Sequence, residues 1–296
     1  MESDFRHATE AIRREIEELL QKSGILFRAF GRGKSTSSIK KKLDKNLHKY
    51  RLDGKLIQDA VGIRIALYFF EDTPIVEKLL KDRYDIEDNA STIDRLGLDQ
   101  FNVSRHNLVF RPTAAIKEEM ERSVMGRPID TTFEVQLRSI LSEGWHEVDH
   151  DLRYKCKDNW MAQPDLDRAL NGILATLETS EWSMKKIFDD LAYRHYKLKN
   201  WPAMLHSKFR MRANPELSKG LTSELENNNL LAKEILRVSR STVIYTISKA
   251  TPKIPINLDN ILLIANCVGP NDSALLEVTP KIILEAIGHP SFGHEK

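Results

Sequence analysis

The chain has 296 residues, of which 41% are hydrophobic and 30% are charged. This balance is typical of a globular protein with a buried core, and it excludes a disordered chain. The formal net charge is only +2, so any affinity for nucleotides or nucleic acid has to come from local clusters of charge.

Cysteine usage and the N-terminal segment bear on the cellular compartment. Cys156 and Cys267 lie far apart and no CxxC pair occurs, which favours neither a structural zinc site nor a disulfide framework and points to the cytoplasm. The N-terminal segment is charged throughout, unlike a signal peptide. No run approaches the roughly 18 apolar residues that a membrane span needs, so we expect no membrane partner.

Amphipathic helices are predicted near the N-terminus. The first has apolar residues at spacings of three and four, namely Phe5, Ala8, Ile12, Ile16 and Leu19. Gly24 is expected to end this helix, and residues 25–30 are predicted to be a short strand or an extended entry to the next element. Ser38 is the expected N-cap of a second helix with Ile39, Leu43 and Leu47 on its apolar face.

Strands and helices then alternate along the chain. Asp72 and Pro74 mark a helix start. In chain order the pattern predicts a strand at 59–70, a helix at 75–82, a loop at 85–101, a strand at 103–111, a helix at 115–123 and a strand at 131–138. A helix marked by Leu137, Leu141, Trp145, Val148 and Leu152 follows, and then a helical segment at 166–191, either one helix or two divided near Glu178.

This alternation predicts an α+β fold, in which helices flank a mixed β-sheet. Beyond residues 197–202 the strand signals fade and helical patterns take over. The sequence therefore predicts two domains, residues 1–196 and a mostly helical region at 197–296.

A basic segment, AFGRGKSTSSIKKKLDK at residues 29–45, raises the question of a phosphate site. A P-loop would need a glycine at position 28, which is Arg28, so that reading fails. Ten Lys or Arg residues nevertheless lie between positions 28 and 55, against two acidic ones. A helix N-terminus flanked by Arg32 and Lys34 suits an anion, although a solvated basic face stays open.

The segment TFEVQLRS at residues 132–139 alternates as a strand does. Its polar side chains, Glu134, Gln136 and Arg138, share one face. They suit a polar cleft, and a solvated sheet face is the plainer alternative. Asp59 lies before another strand, and two carboxylates such as Asp59 and Glu134 are a donor set that Mg²⁺ accepts together with phosphate oxygens.

Taken in this order, these segments resemble the synthetase domain of RelA/SpoT-like alarmone synthetases, over roughly residues 5–195. Each motif is weak alone, and the resemblance depends on the ordered set. The matching segments are Arg32-Gly33-Lys34, Ser38-Ile39 with Lys42 and Lys45, DAVGIR from Asp59 to Arg64, EVQLR from Glu134 to Arg138, and Trp145, His150 and Tyr154-Lys155.

The resemblance implies a sheet related to that of nucleotidyltransferases. It also implies an ATP:nucleotide pyrophosphokinase, which moves the β,γ-pyrophosphate of ATP to a ribose 3′-hydroxyl and releases AMP. On this basis Arg32 and Arg64 sandwich the adenine, and Lys34, Lys42 and Lys45 bind phosphates.

The same resemblance assigns the metal and the remaining nucleotide contacts. Asp59 and Glu134 would hold Mg²⁺, with Glu134 also a candidate base for the 3′-hydroxyl. The other residues assigned to nucleotide binding are Ser38, His106, Gln136 and Arg138.

The acceptor side departs from the family pattern. The family's G-Y-x-S-x-H segment corresponds here to residues 101–106, in which Ser104 and His106 are kept and Asn102 replaces the aromatic that stacks on guanine. GDP or GTP, ADP or ATP, and the 3′ end of tRNA therefore stay open as acceptors. The last two would match toxin-like members of the family.

Alternatives of other classes also stay open. One is a catalytically degenerate relative that binds nucleotides or RNA, and another is a scaffold that uses the helical tail. Retention of Asp59 and Glu134 favours the enzyme. No hydrolase is expected, because the His150-Asp151 pair lies inside the synthetase match. An antitoxin or other regulatory partner, and a homo-oligomer, are left open by the sequence.

Overall fold

A computed structural model describes residues 5–46, 49–94, 106–124 and 126–290. The chain divides into two compact units, Met1–Glu17 with Phe27–Glu181, and Glu18–Leu26 with Trp182–Lys296. The sequence placed a boundary near residue 196, and a functional division at that point stays a prediction.

A mixed β-sheet forms the centre of the first unit. In its described part the strands are β1 Phe27–Gly33, β2 Val61–Leu67, β3 Thr92–Ile93, β4 His106–Phe110 and β5 Phe133–Ser139. They lie in the order β1-β2-β5-β4-β3, with β2 and β5 parallel and the other pairs antiparallel. The predicted mixed sheet is confirmed.

Helices accompany this sheet, as the α+β prediction requires. They are α1 Arg6–Ser23, α2 Thr36–Lys45, α3 Thr73–Arg83, α4 Ala114–Val124, α5 Ile140–Val148 and α6 Pro164–Lys197. A π-helical turn at Asp149–Tyr154 continues α5, and 3₁₀ turns occur at Phe70–Asp72 and Lys157–Asn159. Asp72 is the N-cap residue of α3, with a proline in its first turn.

Strand β5 separates the core from the polar face of the sheet. Phe133, Val135 and Leu137 are buried, and the residues between them are half-buried, which confirms the alternation expected from the sequence. The Phe133 ring packs edge-on against Tyr84 at 5.2 Å between ring centroids and lies 5.8 Å from Phe110. The opposite face of β5 is left for polar side chains.

Several predicted element boundaries are wrong. Ser35, not Ser38, is the N-cap of α2, because its hydroxyl accepts the hydrogen bond from the Ser38 N–H. Leu20, not Leu19, completes the buried stripe of α1. Leu137 belongs to β5 and not to the helix after it. Gly24, with φ of +73°, does end α1 as predicted.

Three longer segments can also be compared with their predictions. Helix α6 runs without a break through Glu178, since no proline or other helix-stopping residue interrupts the segment. The predicted loop at 85–101 contains the two-residue strand β3 in its described part, and the strand predicted at 103–111 is observed as β4 at 106–110. Leu47 and the residues from 95 to 105 lie outside the described residues.

The second unit is helical, as predicted for the C-terminal region. Beyond α6 its helices are α7 Trp201–Phe209, α8 Lys219–Asn227, α9 Asn229–Arg237, α10 Arg240–Lys249, α11 Leu258–Cys267, α12 Ser273–Val278 and α13 Lys281–Ala286. Helix α11 lies at its centre, since almost all of its residues are buried. None of the helices in the described chain combines the length and apolar character needed to cross a membrane.

Candidate active site

A cleft of about 670 Å³ lies over the polar face of the sheet. The parallel register of β2 and β5 pairs Gly62 with Glu134 and Arg64 with Gln136, which puts these side chains on one face. Residues that the sequence predicted to bind nucleotide or metal line this cleft, namely Arg32, Lys34, Asp59, Arg64, Glu134, Gln136 and Arg138.

Asp59 lies just before β2 and binds two lysines. Its carboxylate accepts hydrogen bonds from Lys34 Nζ and from Lys42 Nζ, the latter at 2.9 and 3.0 Å. Lys34 follows β1 and is fixed there by its backbone N–H, which donates to the Ala60 carbonyl at 2.9 Å. The N-terminal end of β2, the end of β1 and helix α2 thus meet at one carboxylate.

Burial and charge act against each other in this group. Burial tends to raise the pKa of Asp59, but the hydrogen bonds and charges of Lys34 and Lys42 outweigh it and hold that pKa below its ordinary value. Burial lowers the pKa of Lys34 by more than the shared carboxylate restores. For Lys42 the carboxylate outweighs burial, and the pKa is raised.

Glu134 is the second acidic residue of the cleft. Asn107 Nδ2 donates to its Oε1 at 2.8 Å, and Gln136 Nε2 donates to its Oε2 at 3.1 Å. Burial, followed by the negative charge of Asp59, raises the pKa of Glu134 above its ordinary value. Asp59 and Glu134 line the same cleft, and a cation bound between them would relieve this repulsion.

A hydrogen-bonded network connects Glu134 to the arginines. Gln136 Oε1 accepts from Arg64 Nε at 3.3 Å and from Arg138 Nη2 at 3.4 Å, while its amide nitrogen donates to Glu134. Glu143 on α5 accepts from Arg64 at 2.7 Å and from Arg138 at 3.1 Å. Gln136 therefore fixes the orientation of the Glu134 carboxylate.

Arg32 and Arg64 come from neighbouring strands. Arg32 on β1 is paired with Gly62, and Arg64 lies two residues further along β2, so the two arginines are diagonal neighbours. Diagonal neighbours are about 7–8 Å apart, which matches the roughly 7 Å that a planar base needs between two groups in van der Waals contact with it. A base between the two guanidinium groups is compatible with this geometry.

Other predicted site residues lie away from the cleft lining. Ser38 is exposed, and its hydroxyl lies 2.9 Å from Ser35 Oγ. Lys45 is exposed on α2. His106 lies 3.0 Å from Glu77 of α3, because its neighbour Asn107 is the β4 residue that shares a face with Gln136. Ser104 and Asn102 lie outside the described residues.

Sequence reasoning missed residues that only the fold brings to the cleft. Glu143 and Glu147 both bind Arg64. Their spacing of four residues puts them on one face of α5, and this pattern could have identified them from the sequence. Nothing in the sequence marked Asn107 on β4 as a cleft residue, apart from its position next to His106. Phe30, 52% exposed and paired with Arg64 across β1 and β2, is an exposed aromatic residue beside the cleft.

His146 on α5 is a buried neutral histidine near this network. Burial, followed by the positive charges of Arg138 and Arg64, lowers its pKa to about 3. It therefore carries no charge at neutral pH. The cations that face the cleft are the arginines and lysines already described, and not this imidazole.

The donor set of the cleft fits a magnesium ion that a nucleotide also ligates. Mg²⁺ is usually held by one or two carboxylates, with phosphate and water oxygens completing its shell. Asp59 and Glu134 supply two carboxylates, and over the described chain no group of three or more His, Cys, Asp or Glu side chains is placed to hold a metal. Any metal here would therefore depend on phosphate oxygens.

Residues 31–159 match a protein-family model described as the region found in RelA / SpoT proteins. The match includes every cleft residue that the sequence predicted. The resemblance predicted from the sequence is therefore confirmed over this region of the chain. No curated protein matches the chain in sequence.

Solved structures similar to this chain include small alarmone synthetases. Small alarmone synthetase 1 from Bacillus subtilis bound to its product pppGpp has 20% identity and a TM-score of 0.47, over 62% of this chain and 92% of that one. A GTP pyrophosphokinase family protein from Streptococcus pneumoniae has 19% identity and a TM-score of 0.46, over 63% and 90%. Small alarmone synthetase 2 from Bacillus subtilis has 20% identity and a TM-score of 0.44, over 62% and 93%.

Proposed function

We propose that this protein is a Mg²⁺-dependent pyrophosphokinase that transfers the β,γ-pyrophosphate of ATP to the 3′-hydroxyl of a nucleotide acceptor and releases AMP. The observation that carries the proposal is the convergence of Asp59 and Glu134 in one cleft with Lys34, Arg32 and Arg64. Phosphoryl-group transfer depends mainly on positioning and on neutralisation of charge, and these side chains supply both.

ATP would enter with its adenine between Arg32 and Arg64 and its phosphates toward Lys34 and Lys42. Both lysines form ion pairs with Asp59. Phosphate oxygens would replace that carboxylate as their partner, which would leave Asp59 able to ligate the metal. When bound, Mg²⁺ would neutralise charge on the phosphates.

Glu134 is the candidate base for the acceptor hydroxyl. Its carboxylate lines the cleft, where a bound acceptor hydroxyl would reach it. The 3′-oxygen would attack the β-phosphorus of ATP, the bond from that phosphorus to the oxygen of the α-phosphate would break, and AMP would leave. The proton of the 3′-hydroxyl would pass to Glu134, which Asn107 and Gln136 hold in place.

The test is a transfer assay with γ-labelled ATP and Mg²⁺. GDP or GTP, ADP or ATP, and deacylated tRNA are offered in turn as acceptors, and both AMP release and transfer of label are followed. We expect transfer to at least one acceptor, and its loss in Glu134→Gln and Asp59→Asn. Asp53→Asn is the matched control, because Asp53 is an exposed carboxylate outside the cleft.

The acceptor arms distinguish the classes of function that stay open. Transfer to GDP or GTP identifies an alarmone synthetase, and transfer only to ADP, ATP or tRNA identifies a toxin-like enzyme. Binding of ATP without transfer to any acceptor contradicts the enzyme and supports a catalytically degenerate regulatory protein. Full activity of Glu134→Gln would remove Glu134 from the mechanism.

A further inference from the structure

The second unit contains two consecutive helices joined by a short turn. Helix α9 ends at Arg237 and α10 begins at Arg240, so that only Val238 and Ser239 connect them. Both connecting residues have extended backbone angles, with ψ of 140° at Val238 and 118° at Ser239. These two residues interrupt the helical path, and α9 and α10 form a helix, a two-residue turn and a second helix.

The turn is held tightly against the rest of the unit. A Cβ atom at Gly269 would lie 2.6 Å from Val238 Cγ2, so no other residue type fits at position 269 without displacing the turn. The side chain of Val238 is buried beside the end of α11. The angle between α9 and α10 is thus set by close packing and not by the turn alone.

The N-terminus of α10 is also fixed. Arg240, the first residue of α10, is buried, and its guanidinium donates to the carbonyl of Phe209 at 2.6 Å and of Arg210 at 3.3 Å. These carbonyls lie at the end of α7, where the negative end of the helix dipole favours a cation. Arg240 therefore positions α10 and is not itself available to a partner.

The buried and exposed sides of α10 differ in character. Val243, Ile244 and Ile247 are buried. Ser241, Thr242 and Lys249 are exposed and Tyr245 is half-buried, and these four residues, at helical spacing on the other side, define what we call the hydroxyl face. A face of hydroxyl groups and one ammonium has no apolar patch to bury against a protein.

Charge is distributed unevenly around the hydroxyl face. Residues 237–253 include four Lys or Arg and no Asp or Glu, although Arg240 among them is buried. On α9, the exposed Glu234 lies between the exposed Lys233 and Arg237 in sequence. Arg237, at the end of α9, is exposed, as is Lys253 beyond α10. Cations around a hydroxyl-rich helix complement a polyanion that also presents hydrogen-bonding groups.

We propose that the second unit binds duplex DNA, with α10 in the major groove and α9 across the phosphate backbone. The major groove admits one α-helix, and residues in the first turns of a recognition helix contact base edges. Ser241, Thr242 and Tyr245 supply the hydroxyl groups for that contact. Arg237, Lys249 and Lys253 supply cations for the flanking phosphates. This site is independent of the cleft in the first unit.

The experiment is a selection with the full-length protein. A pool of duplexes with a randomised centre of about 20 base pairs, roughly two helical turns, is enriched by binding at about 0.15 M salt. Affinities for the selected duplex and for its shuffled version are then measured by fluorescence anisotropy. We expect the selected duplex to bind at least about 1,000-fold more tightly than the shuffled one.

Variants separate base contacts from phosphate contacts. Thr242→Ala combined with Ser241→Ala should reduce the preference for the selected duplex by about tenfold or more. Arg237→Glu should weaken both duplexes alike and lower the salt dependence of binding. Lys281→Glu is the matched control, because Lys281 is an exposed lysine of the same unit on α13, and it should bind as the wild type does. Thermal melts check that each variant is folded.

Three results would overturn the proposal. The first is an enriched pool without a common sequence. The second is tighter binding of single-stranded RNA than of a duplex of equal length. The third is an equal loss of affinity for the duplex in Lys281→Glu and in Arg237→Glu. The transfer assay is unaffected by any of them, since none of these variants touches the cleft. Failure of DNA binding and failure of pyrophosphate transfer are therefore distinguishable.

Discussion

Arg64 of β2 donates a hydrogen bond to Glu143 of α5 at 2.7 Å, which joins the floor of the cleft to the helix beside it. Glu143 also binds Arg138, and its side chain is only 13% exposed. Glu143→Gln removes the charge that balances two half-buried guanidinium groups. We expect it to lower the free energy of unfolding by about 2 kcal/mol, measured by urea denaturation.

Glu147 provides the matched comparison. It binds the same Arg64 from one helical turn further on, but its side chain is 53% exposed. An exposed ion pair contributes little, so Glu147→Gln should change the free energy of unfolding by no more than about 0.5–1 kcal/mol. Equal effects of the two substitutions would contradict the view that burial decides their importance.

Gly62 lies on the floor of the cleft, between Arg32 on β1 and Glu134 on β5. A Cβ atom there would meet only the Arg32 carbonyl oxygen, at an ordinary 3.7 Å. The backbone therefore accepts a side chain, and Gly62→Ala should be neutral or stabilise the protein by about 0.5 kcal/mol. Gly62→Leu should fold but fill the space above the sheet.

Calorimetry with a non-hydrolysable ATP analogue tests this arrangement. We expect Gly62→Leu to bind the analogue at least about tenfold more weakly, a difference of about 1.4 kcal/mol, with Gly62→Ala much closer to the wild type. Wild-type affinity in a folded Gly62→Leu protein would show that nucleotide does not lie over this part of the sheet.

Glu181 on α6 makes stability fall as pH rises. Burial, followed by the charge of Glu178, raises its pKa to about 7, while Ser139 donates a hydrogen bond to it. Between about pH 4.5 and 7 the folded state holds a proton that the unfolded state has lost, so stability decreases through this window. Glu181→Gln should remove this decrease and be more stable than the wild type by roughly 1–2 kcal/mol at pH 8, after allowance for solvent screening.

His146 acts in the opposite direction. Its folded-state pKa of about 3 lies below the ordinary value of 6.5, so the unfolded state binds a proton that the folded state does not. Stability should therefore fall as pH decreases below 6.5, by about 2 kcal/mol at pH 5. His146→Gln should abolish this loss between pH 5 and 6.5, where most carboxylates stay ionised.

Urea midpoints measured from pH 5 to 8 distinguish the last two effects. The wild type should show a shallow profile below pH 6.5, because the contributions of Glu181 and His146 have opposite signs. Glu181→Gln should then gain stability with rising pH, and His146→Gln should lose it. Parallel profiles for all three proteins would contradict both pKa assignments.

Much of the first unit was predictable because its signals are short-range. The alternation of Phe133, Glu134, Val135 and Gln136 assigned β5 and the face that carries the polar residues, since successive strand side chains point to opposite sides. The element boundaries predicted at Ser38 and Leu137 were wrong, because neighbouring residues of similar propensity compete for these positions.

The cleft was predictable only in part. Asp59, Lys34 and Glu134 were singled out by residue type and position, and the structure brings them together. The resemblance assigned His106 to nucleotide binding, whereas the register of β4 against β5 puts Asn107 on the face that carries Gln136. A shift of one residue in strand register exchanges the two faces of the strand. The register depends on pairing with a distant strand, so the local sequence pattern does not reveal it.

The sequence by itself determined the strands and helices, the cluster of positive charge and the pair of carboxylates. Only the tertiary structure decided that Lys34 and Lys42 share Asp59, that Glu143 reaches Arg64 from α5, and that α9 and α10 meet at a turn packed on Gly269. Propensity and periodicity act over a few residues. Strand register and helix packing decide which distant residues meet.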